Sequence, residues 1–409
     1  MVTLLATLCL VMHILLIHQN FPGQFRELAP AWLRSGHQIT AIGNSSQGLF
    51  QSQTWSGLGY FPYQCPGHRW RPQAVANHLQ ALVQKHQLQP DLVIAHSGWG
   101  EAIPIKDIWP RTPLLVYPEL WGSPMALGDG FDPLQPALSA AQHREITLQN
   151  RRSAYALQQA DAAVAPTAHQ RDSFPSPWRE RIQVIHEGVN CDQLHPDPSA
   201  SVLLPQGLLL DRWDRVITYV SRQFEPLRGL RTFLAALPPL LDRDPRLQVV
   251  MVGGTGPGYG LHASHPDGHL ARELARLPAD LDHSRLHRLG PLPYSQLRSL
   301  LQISTAHVYL TYPYTLSWSV LEAMACGAPV VGNHSGPLDE VITDGQNGLL
   351  VDFNSTDQLV EALTRLLADP PLGQRLGLAG RRTVQERFSL TQALERYEAL
   401  FRELSAAAG

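Results

Sequence analysis

The chain has 409 residues, of which 44% are hydrophobic and 16% charged, and its formal net charge is −3. This length exceeds what one hydrophobic core organises, so we expect two or three domains. The charge balance lacks a long basic run and argues against nucleic-acid binding. Four scattered cysteines show neither metal-ligand spacing nor a disulfide pattern, so we expect a cytoplasmic protein without a metal site.

The first residues precede a predicted buried strand. Residues 1–17 are mostly apolar, yet they contain no Lys or Arg and no evident small-residue cleavage site, and His13 interrupts the run. That pattern is unlike a signal peptide. We interpret residues 1–11 as an extension or a mis-called start and the segment from Met12 as the first strand, with a membrane anchor as the alternative.

A loop of unusual composition follows this strand: His18-Gln-Asn-Phe-Pro-Gly-Gln-Phe25. Pro22 stiffens the turn, and Gly23 allows a positive φ or the close approach of another group. A helix then ends at Ser35-Gly36, which is typical of a C-cap. The loop is either a tight strand-to-helix connection or a ligand loop, because open α/β sheets bind ligands at the carboxyl ends of parallel strands.

Short apolar segments alternate with helical patterns through the first half. Residues 72–87 have helical spacing, whereas residues 44–72 are a polar, aromatic insertion of unclear structure. Strands that are apolar throughout and separated by helices indicate a parallel sheet covered on both faces. The predicted strands are residues 13–17, 37–42, 91–95, 113–117, 161–165 and 182–185.

Three titratable residues, His96, Glu101 and Glu119, each follow a predicted strand near the same sheet edge as Gly23. Each could polarise or deprotonate a hydroxyl group. The alternative is structural, namely a histidine at a strand end or a glutamate that caps a helix.

The second half repeats the alternation after a Pro- and Ser-rich linker at residues 196–205. Its predicted strands are residues 215–220, 247–252, 286–289, 307–310, 329–332 and 348–351, and the chain is helical from about Asp357 onward. We therefore predict two doubly wound domains with a ligand cleft between them, over residues 12–200 and 201–385. A final helix at 386–409 is expected to pack back on the first domain.

The segment from Tyr312 to Val331 is the most informative one. It combines a strand end, a polar loop, a short helix and a Gly327 stop. Ser317 and Ser319 lie where the helix would begin, and free backbone N–H groups at such a terminus suit a phosphate. Glu322 would then accept hydrogen bonds from ribose hydroxyls. The alternative is a capping box of Ser319 and Glu322, which needs no ligand.

Two further loops follow strands of the second half. Arg222 and Arg228 flank the first one, where paired cations could bind a diphosphate; solvated surface arginines are the alternative. Residues 253–258 form a glycine-rich loop. It lacks the spacing of a dinucleotide fingerprint, and Pro257 interrupts it, which favours a plain loop.

The segment Ser319-Val-Leu-Glu-Ala-Met-Ala-Cys-Gly-Ala-Pro-Val-Val331 resembles the signature of the family 4 retaining glycosyltransferases, which have the GT-B fold. The resemblance extends over nearly the whole chain. It includes the Arg222 and Arg228-Gly229 pair, with Arg228 in place of the family's lysine. Three further segments carry it: His186-Glu-Gly-Val-Asn190, Gly336-Pro-Leu-Asp-Glu340 and Asp344-Gly-Gln-Asn-Gly-Leu-Leu-Val351. The loop at residues 18–25 resembles that of a subset whose acceptor domain opens this way.

This resemblance implies transfer of a sugar from a nucleotide-diphosphate sugar, as co-substrate, with retained anomeric configuration and no obligatory metal or other cofactor. Arg222 and Arg228 would stabilise the leaving diphosphate, with His96 or Glu119 as the candidate for the family's catalytic-region histidine. Tyr314 replaces the first of two glutamates that many members carry. We expect this subset to bind the donor sugar differently; the alternatives are a different donor or impaired activity. The implied donor-binding residues are Gly23, Gly254, Leu289, Tyr314, Ser317, Trp318, Ser319, Glu322 and Glu340.

Three other functions are alternatives to this one. A nucleotide-sugar 2-epimerase of the same fold needs acid/base carboxylates around the sugar, which Tyr314 makes harder. A non-catalytic sugar-nucleotide or glycan-binding homologue would bind donor without transfer. A dehydrogenase using residues 253–258 is the weakest rival. The acceptor, whether a glycan, lipid-linked or a small molecule, is left open, as is weak association with a membrane surface.

Overall fold

The computed structural model describes residues 10–45, 55–65, 67–256, 258 and 268–408. The chain divides into two compact units. The first comprises the residues up to Gly122 together with Arg144–Gly188 and Leu390–Gly409, and the second comprises Ser123–His143 and Val189–Ser389.

Seven strands of the first unit form one parallel sheet in the order β3-β2-β1-β4-β5-β6-β7. The strands are β1 (His13–Ile17), β2 (Gln38–Ile42), β3 (Leu58–Tyr60), β4 (Leu92–His96), β5 (Leu114–Tyr117), β6 (Ala162–Ala165) and β7 (Ile182–Val184). The helices along this part of the chain are α1 (Leu28–Arg34), α2 (Arg71–His86), α3 (Ile105–Ile108), α4 (Ala140–Gln159), α5 (Ala168–Asp172) and α6 (Ser176–Arg179).

Six strands of the second unit form a parallel sheet in the order β12-β11-β10-β13-β14-β15, and β8 pairs with β9 as an antiparallel hairpin. The strands are β8 (Ser201–Leu203), β9 (Leu209–Asp211), β10 (Arg215–Gln223), β11 (Leu247–Gly254), β12 (Leu286–Leu289), β13 (Ala306–Tyr309), β14 (Val330–Asn333) and β15 (Leu349–Val351). The helices that follow are α7 (Leu230–Arg243), α8 (Gly268–Leu274), α9 (Tyr294–Gln302), α10 (Trp318–Ala325), α11 (Thr356–Ala368), α12 (Pro370–Arg387) and α13 (Leu390–Ala408).

Burial on both faces explains the apolar strands. In β1, Leu15 and Ile17 belong to a core with α2 and α4, whereas Ile14 and Leu16 face a second core with α1 and α13. Successive side chains of a strand point to opposite faces, so a strand covered by helices on both faces is apolar at every position. The predicted parallel, helix-covered sheets are thereby confirmed.

The last helix, α13, lies on the sheet of the first unit. Its residues Tyr397 and Phe401 pack against Trp32 of α1 with ring centroids 5.6 and 5.3 Å apart. Glu398 accepts a hydrogen bond from His37 at 3.0 Å. Residues of α13, at the C-terminal end of the sequence, therefore complete a core of the first unit that begins with β1 and α1.

The segment 123–143 belongs to the second unit, although we predicted that residues 12–200 form one domain. The Tyr312 hydroxyl donates to Asp132 at 2.7 Å, and Phe131 packs against Tyr312 and Phe353. Gly128 has φ +97°, and a Cβ there would lie 2.5 Å from the Tyr312 ring. These contacts join residues 180 positions apart, which local patterns cannot reveal.

Two elements were not predicted. The strand β3 lies in the insertion at residues 44–72, of which residues 46–54 and 66 are outside the described part of the chain. The hairpin of β8 and β9 begins inside the predicted linker, and the two units separate after Gly188 rather than after residue 200. Of the proposed extension at residues 1–11, only 10 and 11 are described.

Candidate functional site

Each parallel sheet has one point at which its strand order reverses. In the first unit this point lies between β1 and β4, and in the second it lies between β10 and β13. Because the chain leaves these neighbouring strands toward opposite faces of the sheet, the loops diverge and open a crevice at the carboxyl edge, where ligands bind in folds of this kind. The predicted site residues are therefore located relative to these two points.

Arg228 is the centre of a buried polar network at the switch point of the second unit. Its Nη1 donates to the Tyr309 hydroxyl and, at 2.8 Å, to the hydroxyl of Thr311. The guanidinium also lies 5.3 Å from the centroid of the Tyr309 ring. Arg228 is 8% exposed, so a solvated surface arginine is the wrong interpretation for this residue.

The helix α10 begins at this network. Its N-cap is Ser317, whose backbone N–H donates to the Tyr309 hydroxyl at 3.1 Å and whose side chain accepts from the Ser319 N–H. Ser317 therefore has its backbone N–H on the same phenol oxygen that Arg228 contacts. The macrodipole of α10 directs partial positive charge to this end of the helix, which favours an anion beside the guanidinium.

Glu322 lies in the second turn of α10 and is 4% exposed. Its Oε1 accepts a hydrogen bond from the Tyr294 hydroxyl at 3.2 Å. Because the cap is Ser317 and not Ser319, the capping-box alternative for Ser319 and Glu322 is wrong. Glu322 is a buried carboxylate five residues after the N-cap of α10.

Asn333, which the sequence did not single out, fixes the loop that follows β13. Its side chain accepts from the Thr311 N–H at 2.7 Å and donates to the Thr311 and His334 carbonyls at 3.0 and 3.1 Å. Thr311 in turn accepts from Arg228. The sequence could have indicated this residue only as an asparagine directly after a predicted apolar strand. Its partner, Thr311, lies 22 residues earlier in the chain.

The remaining predicted site residues of the second unit lie on strands, in loops and at the start of α10. Arg222 is an exposed residue of β10. Gly254 ends β11, where a Cβ would lie 2.5 Å from the Gln223 side chain, so close packing explains this glycine. The others occupy strand ends and loops: Leu289 ends β12, partly buried Tyr314 packs on the core beside β13, Trp318 opens α10, and Glu340 lies in the turn after β14.

Gly23 in the first unit lies against the ring of His18. It has φ +46°, and a Cβ at this position would lie 2.5 Å from His18 Cε1. His18 is 5% exposed, and its Nδ1 accepts the backbone N–H of Asn20 at 3.0 Å. The glycine is thus required by the imidazole that begins the loop, a residue the sequence analysis did not select.

His96 lies beside His18 at the switch point, with ring centroids 5.3 Å apart. Its Nδ1 accepts the Gly98 N–H at 3.2 Å, and its Nε2 is 3.3 Å from Glu119 Oε2. This arrangement fixes the tautomer, because a ring nitrogen that accepts is unprotonated and the other then donates to the carboxylate. His96 therefore contacts Glu119 directly and the loop of Gly23 through the ring of His18.

Glu101 is separate from that pair in its bonding. It is fully buried and accepts a hydrogen bond from the Tyr63 hydroxyl at 2.5 Å. Burial raises the pKa of Glu101 above its ordinary value. Burial and the Glu101 carboxylate beside it also raise the pKa of Tyr63. Glu101 is therefore a buried, hydrogen-bonded carboxyl group with a raised pKa.

The two sheets and their order are those of the GT-B class of proteins. Solved structures show the same fold. The sucrose-phosphate synthase of Thermosynechococcus elongatus aligns with a TM-score of 0.75 and 20% identity over 97% of this chain and 99% of that one. Anabaena Alr3699/HepE in complex with UDP-glucose aligns with a TM-score of 0.71 and 18% identity over 96% and 100%. At these identities the likeness concerns the fold.

Two regions of the chain match models of glycosyltransferase groups. Residues 60–194 match the glycosyl transferase family 4 group, and residues 205–383 match the glycosyl transferases group 1. Each model covers less than half of the chain, and the two matches show that both parts of the chain resemble glycosyltransferases of these groups. The first match begins beyond the loop at residues 18–25, so membership of the predicted subset stays a prediction.

Curated relatives align over part of their length. The D-inositol 3-phosphate glycosyltransferase of Frankia alni is 36% identical over 49% of this chain and 49% of its own. The alpha-maltose-1-phosphate synthase of Mycolicibacterium smegmatis is 29% identical over 61% and 65%. The chain therefore spans about half to two thirds of the length of these relatives. No helix in the described ranges has the length and apolar content to cross a bilayer.

Proposed function

We propose that the protein transfers a sugar from a nucleotide-diphosphate sugar to an acceptor hydroxyl with retention of configuration and without a metal ion. The observation that carries the proposal is the network in which Arg228 and the start of α10 meet at the Tyr309 hydroxyl. A guanidinium and a helix N-terminus held together by one phenol are suited to a diphosphate.

The second unit is the donor-binding unit in this proposal. Arg228, together with Arg222 near the end of β10, would offset the charge that develops on the leaving diphosphate, and such charge stabilisation is often the largest catalytic contribution. The backbone of Ser317–Ser319 would bind phosphate oxygens. Glu322, buried in α10, would accept hydrogen bonds from the donor ribose.

The remaining predicted residues would surround the nucleotide and the sugar: Gly254, Leu289, Tyr314, Trp318 and Glu340. Tyr314 offers a phenol where many family members offer a carboxylate, so it would bind a sugar hydroxyl without carrying charge.

The first unit would supply the acceptor side. His96, oriented by the Gly98 N–H and paired with Glu119, would hydrogen-bond an acceptor or sugar hydroxyl, while Gly23 would keep the first loop close to the ligand. In the transfer itself the bond from the anomeric carbon to the diphosphate oxygen breaks, and a bond from that carbon to the acceptor oxygen forms. The diphosphate leaves with the bonding electron pair, and the hydroxyl proton passes to the departing phosphate oxygen.

The test begins with a panel of nucleotide sugars that includes UDP-glucose and GDP-mannose. We expect one diphosphate-sugar class to raise the melting temperature by mass action and to be consumed slowly, by transfer or hydrolysis, in the presence of EDTA. NMR of the product reports whether the anomeric configuration is retained. No stabilisation by any nucleotide sugar would contradict the proposal.

A matched pair of variants locates the chemistry. Arg228→Met is expected to lower kcat/KM for the donor about 100-fold, because methionine carries no charge and cannot donate to Tyr309 and Thr311. Arg231→Met, at an exposed position of α7, should change little. A nucleotide-sugar 2-epimerase is distinguished by epimer formed from donor alone, and a non-catalytic binding protein by donor binding without turnover.

A further inference from the structure

One segment of the second unit holds the ring of Tyr312 from three sides. Residues 123–143 belong to this unit, although their neighbours in sequence on both sides belong to the first. The Tyr312 hydroxyl donates to Asp132 at 2.7 Å, and Phe131 packs against the ring with centroids 5.5 Å apart. On the third side is Gly128, where φ is +97° and a Cβ would lie 2.5 Å from the ring. We call Gly128, Phe131 and Asp132 the Tyr312 socket.

The socket is a tight turn that its own backbone fixes. The N–H groups of Phe131 and Asp132 both donate to the Gly128 carbonyl, at 3.1 and 2.8 Å. Asp132 Oδ1 accepts the Leu134 N–H at 2.9 Å, and Oδ2 accepts the phenol of Tyr312. Asp132 is 6% exposed. Because a buried carboxyl group is stable only when it is hydrogen-bonded, these two donors fix the position of its side chain.

Tyr312 stays a hydrogen-bond donor in this socket. The ring is fully buried, and burial together with the hydrogen bond to Asp132 raises the pKa of Tyr312 above its ordinary value. The Gln135 side chain of the same segment also hydrogen-bonds this hydroxyl. A phenol that keeps its proton donates to Asp132 over the whole physiological pH range.

Tyr312 lies in the middle of the loop from β13 to α10. This loop is fixed near its start by Asn333 and at its end by Tyr309. Between these points the Tyr312 N–H donates to the Leu227 carbonyl at 3.0 Å, and the Tyr314 N–H donates to the Tyr312 carbonyl at 2.6 Å. The position of Tyr312 therefore determines that of Tyr314, the residue that the proposed function assigns to the sugar.

Arg228, on the diphosphate side of the proposed donor site, is held by other contacts. Its carbonyl accepts the Tyr219 hydroxyl at 2.7 Å, and its guanidinium donates to Tyr309 and Thr311. These three bonds do not involve the Tyr312 socket. Separate sets of contacts thus position the residues proposed to bind the sugar and the residue proposed to bind the diphosphate.

We propose that Asp132 is a positioning residue for the donor sugar, which holds Tyr312 and, through it, Tyr314, and leaves diphosphate binding to Arg228. The inference rests on the proposed function, because it takes the loop from β13 to α10 as part of the donor site. Asp132 acts through Tyr312 and does not touch the donor. The competing explanation is that the socket only stabilises the fold, and a loss of stability alone does not distinguish a nucleotide sugar from its nucleoside diphosphate.

The experiment compares UDP-glucose with UDP by calorimetry on the full chain; GDP-mannose and GDP are used if the parent chain turns over only GDP-mannose. Asp132→Ala is expected to lose about tenfold in affinity for the nucleotide sugar and less than about twofold for the nucleoside diphosphate. Asp132→Asn keeps an oxygen that accepts from Tyr312, so it should bind both ligands within about threefold of the parent chain.

Asp129→Ala is the matched control. Asp129 lies in the same segment and accepts the Leu138 N–H at 3.0 Å, not the Tyr312 hydroxyl. This variant reports any general loosening of residues 123–143, and we expect it to bind the nucleotide sugar like the parent chain.

Equal losses for UDP-glucose and UDP in Asp132→Ala would overturn the inference, and so would parent-like binding of both. An Asp132→Asn variant as weak as Asp132→Ala would overturn it too. If Asp132→Ala does not fold, the double variant Asp132→Leu/Tyr312→Phe removes both partners of the bond and leaves neither unpaired. It should show the same selective loss, and parent-like affinity for the nucleotide sugar would again contradict the role of Asp132.

The parent chain distinguishes this failure from failure of the proposed function. A parent chain that neither binds nor turns over any nucleotide sugar contradicts the proposed function, and with it this inference. Turnover by the parent chain, combined with an Asp132→Ala variant that shows no selective loss, contradicts the role of Asp132 alone.

Discussion

Arg228 and Ser317, 89 positions apart, are joined through one atom, the hydroxyl oxygen of Tyr309. The guanidinium donates to it from the loop after β10, and the N–H of the helix cap donates to it from the loop after β13. Because both loops leave the sheet at its switch point, this phenol sets the distance between the two positive groups. The geometry of the proposed diphosphate site therefore depends on a side chain that need not touch the ligand.

The first prediction concerns this phenol. Tyr309→Phe should lower donor turnover about tenfold, which corresponds to about 1.4 kcal/mol, because Arg228 and the Ser317 N–H lose their shared acceptor. Leaving buried donors unpaired should also lower the melting temperature. Steady-state kinetics and thermal unfolding measure both effects. Tyr155→Phe, at an exposed position of α4, is the control, and equal behaviour of the two variants would refute the role of Tyr309.

A second prediction separates backbone strain from steric clash at the first loop. Gly23→Ala meets the His18 ring and adopts φ +46°, whereas Gly36→Ala adopts φ +94° with no atom within 4 Å of its Cβ. Gly36→Ala should therefore cost only about 1–2 kcal/mol of unfolding free energy. Gly23→Ala should cost more unfolding free energy, and it should also impair turnover because the new Cβ displaces the His18 ring. Denaturant unfolding and activity measure the difference, and indistinguishable variants would be the contrary result.

Asn333 gives a third prediction. Asn333→Ala leaves the N–H and carbonyl of Thr311 without their partner, and each unsatisfied buried group costs about 1–3 kcal/mol. We expect a marked fall in unfolding free energy, and slower donor turnover because Thr311 also contacts Arg228. Asn354→Ala, at an exposed site after β15, should be nearly neutral. Full activity and stability in Asn333→Ala would show that the loop is fixed by other contacts.

The fourth prediction concerns pH. Burial lowers the pKa of His307 to about 3, and its Nδ1 lies 2.9 Å from the Thr218 hydroxyl. In the unfolded chain the pKa of a histidine is about 6.5, so as the pH falls the unfolded state binds the proton before the folded state does. The stability from neutral His307 is complete above pH 6.5 and is lost progressively as the pH falls toward 3, by about 2–3 kcal/mol at pH 4.5.

The test compares variants across pH. His307→Asn should remove this contribution, so its unfolding free energy should fall less steeply than that of the parent chain between pH 7 and 4.5. His195→Asn, at an exposed position of the same unit, should keep the parent's dependence. Parallel curves for the parent and His307→Asn would mean that this histidine is not titrated on unfolding.

The sequence by itself determined the two parallel sheets and where their functional loops begin. Strands buried on both faces are apolar at every position, so they can be read locally, and the polar residues after them mark the carboxyl edge. For this reason His96, Glu119, Arg228, Ser317 and Glu322 could be named in advance as candidates, and their roles stay predictions.

Tertiary structure alone decided which of these groups meet. The hydrogen bonds of Tyr309 and of Asn333 join residues that lie far apart in the chain. The same holds for the segment 123–143, whose place beside Tyr312 comes from ring packing and one hydrogen bond. A hydrogen bond depends on positions within tenths of an ångström, and those positions are set only when the whole core is packed.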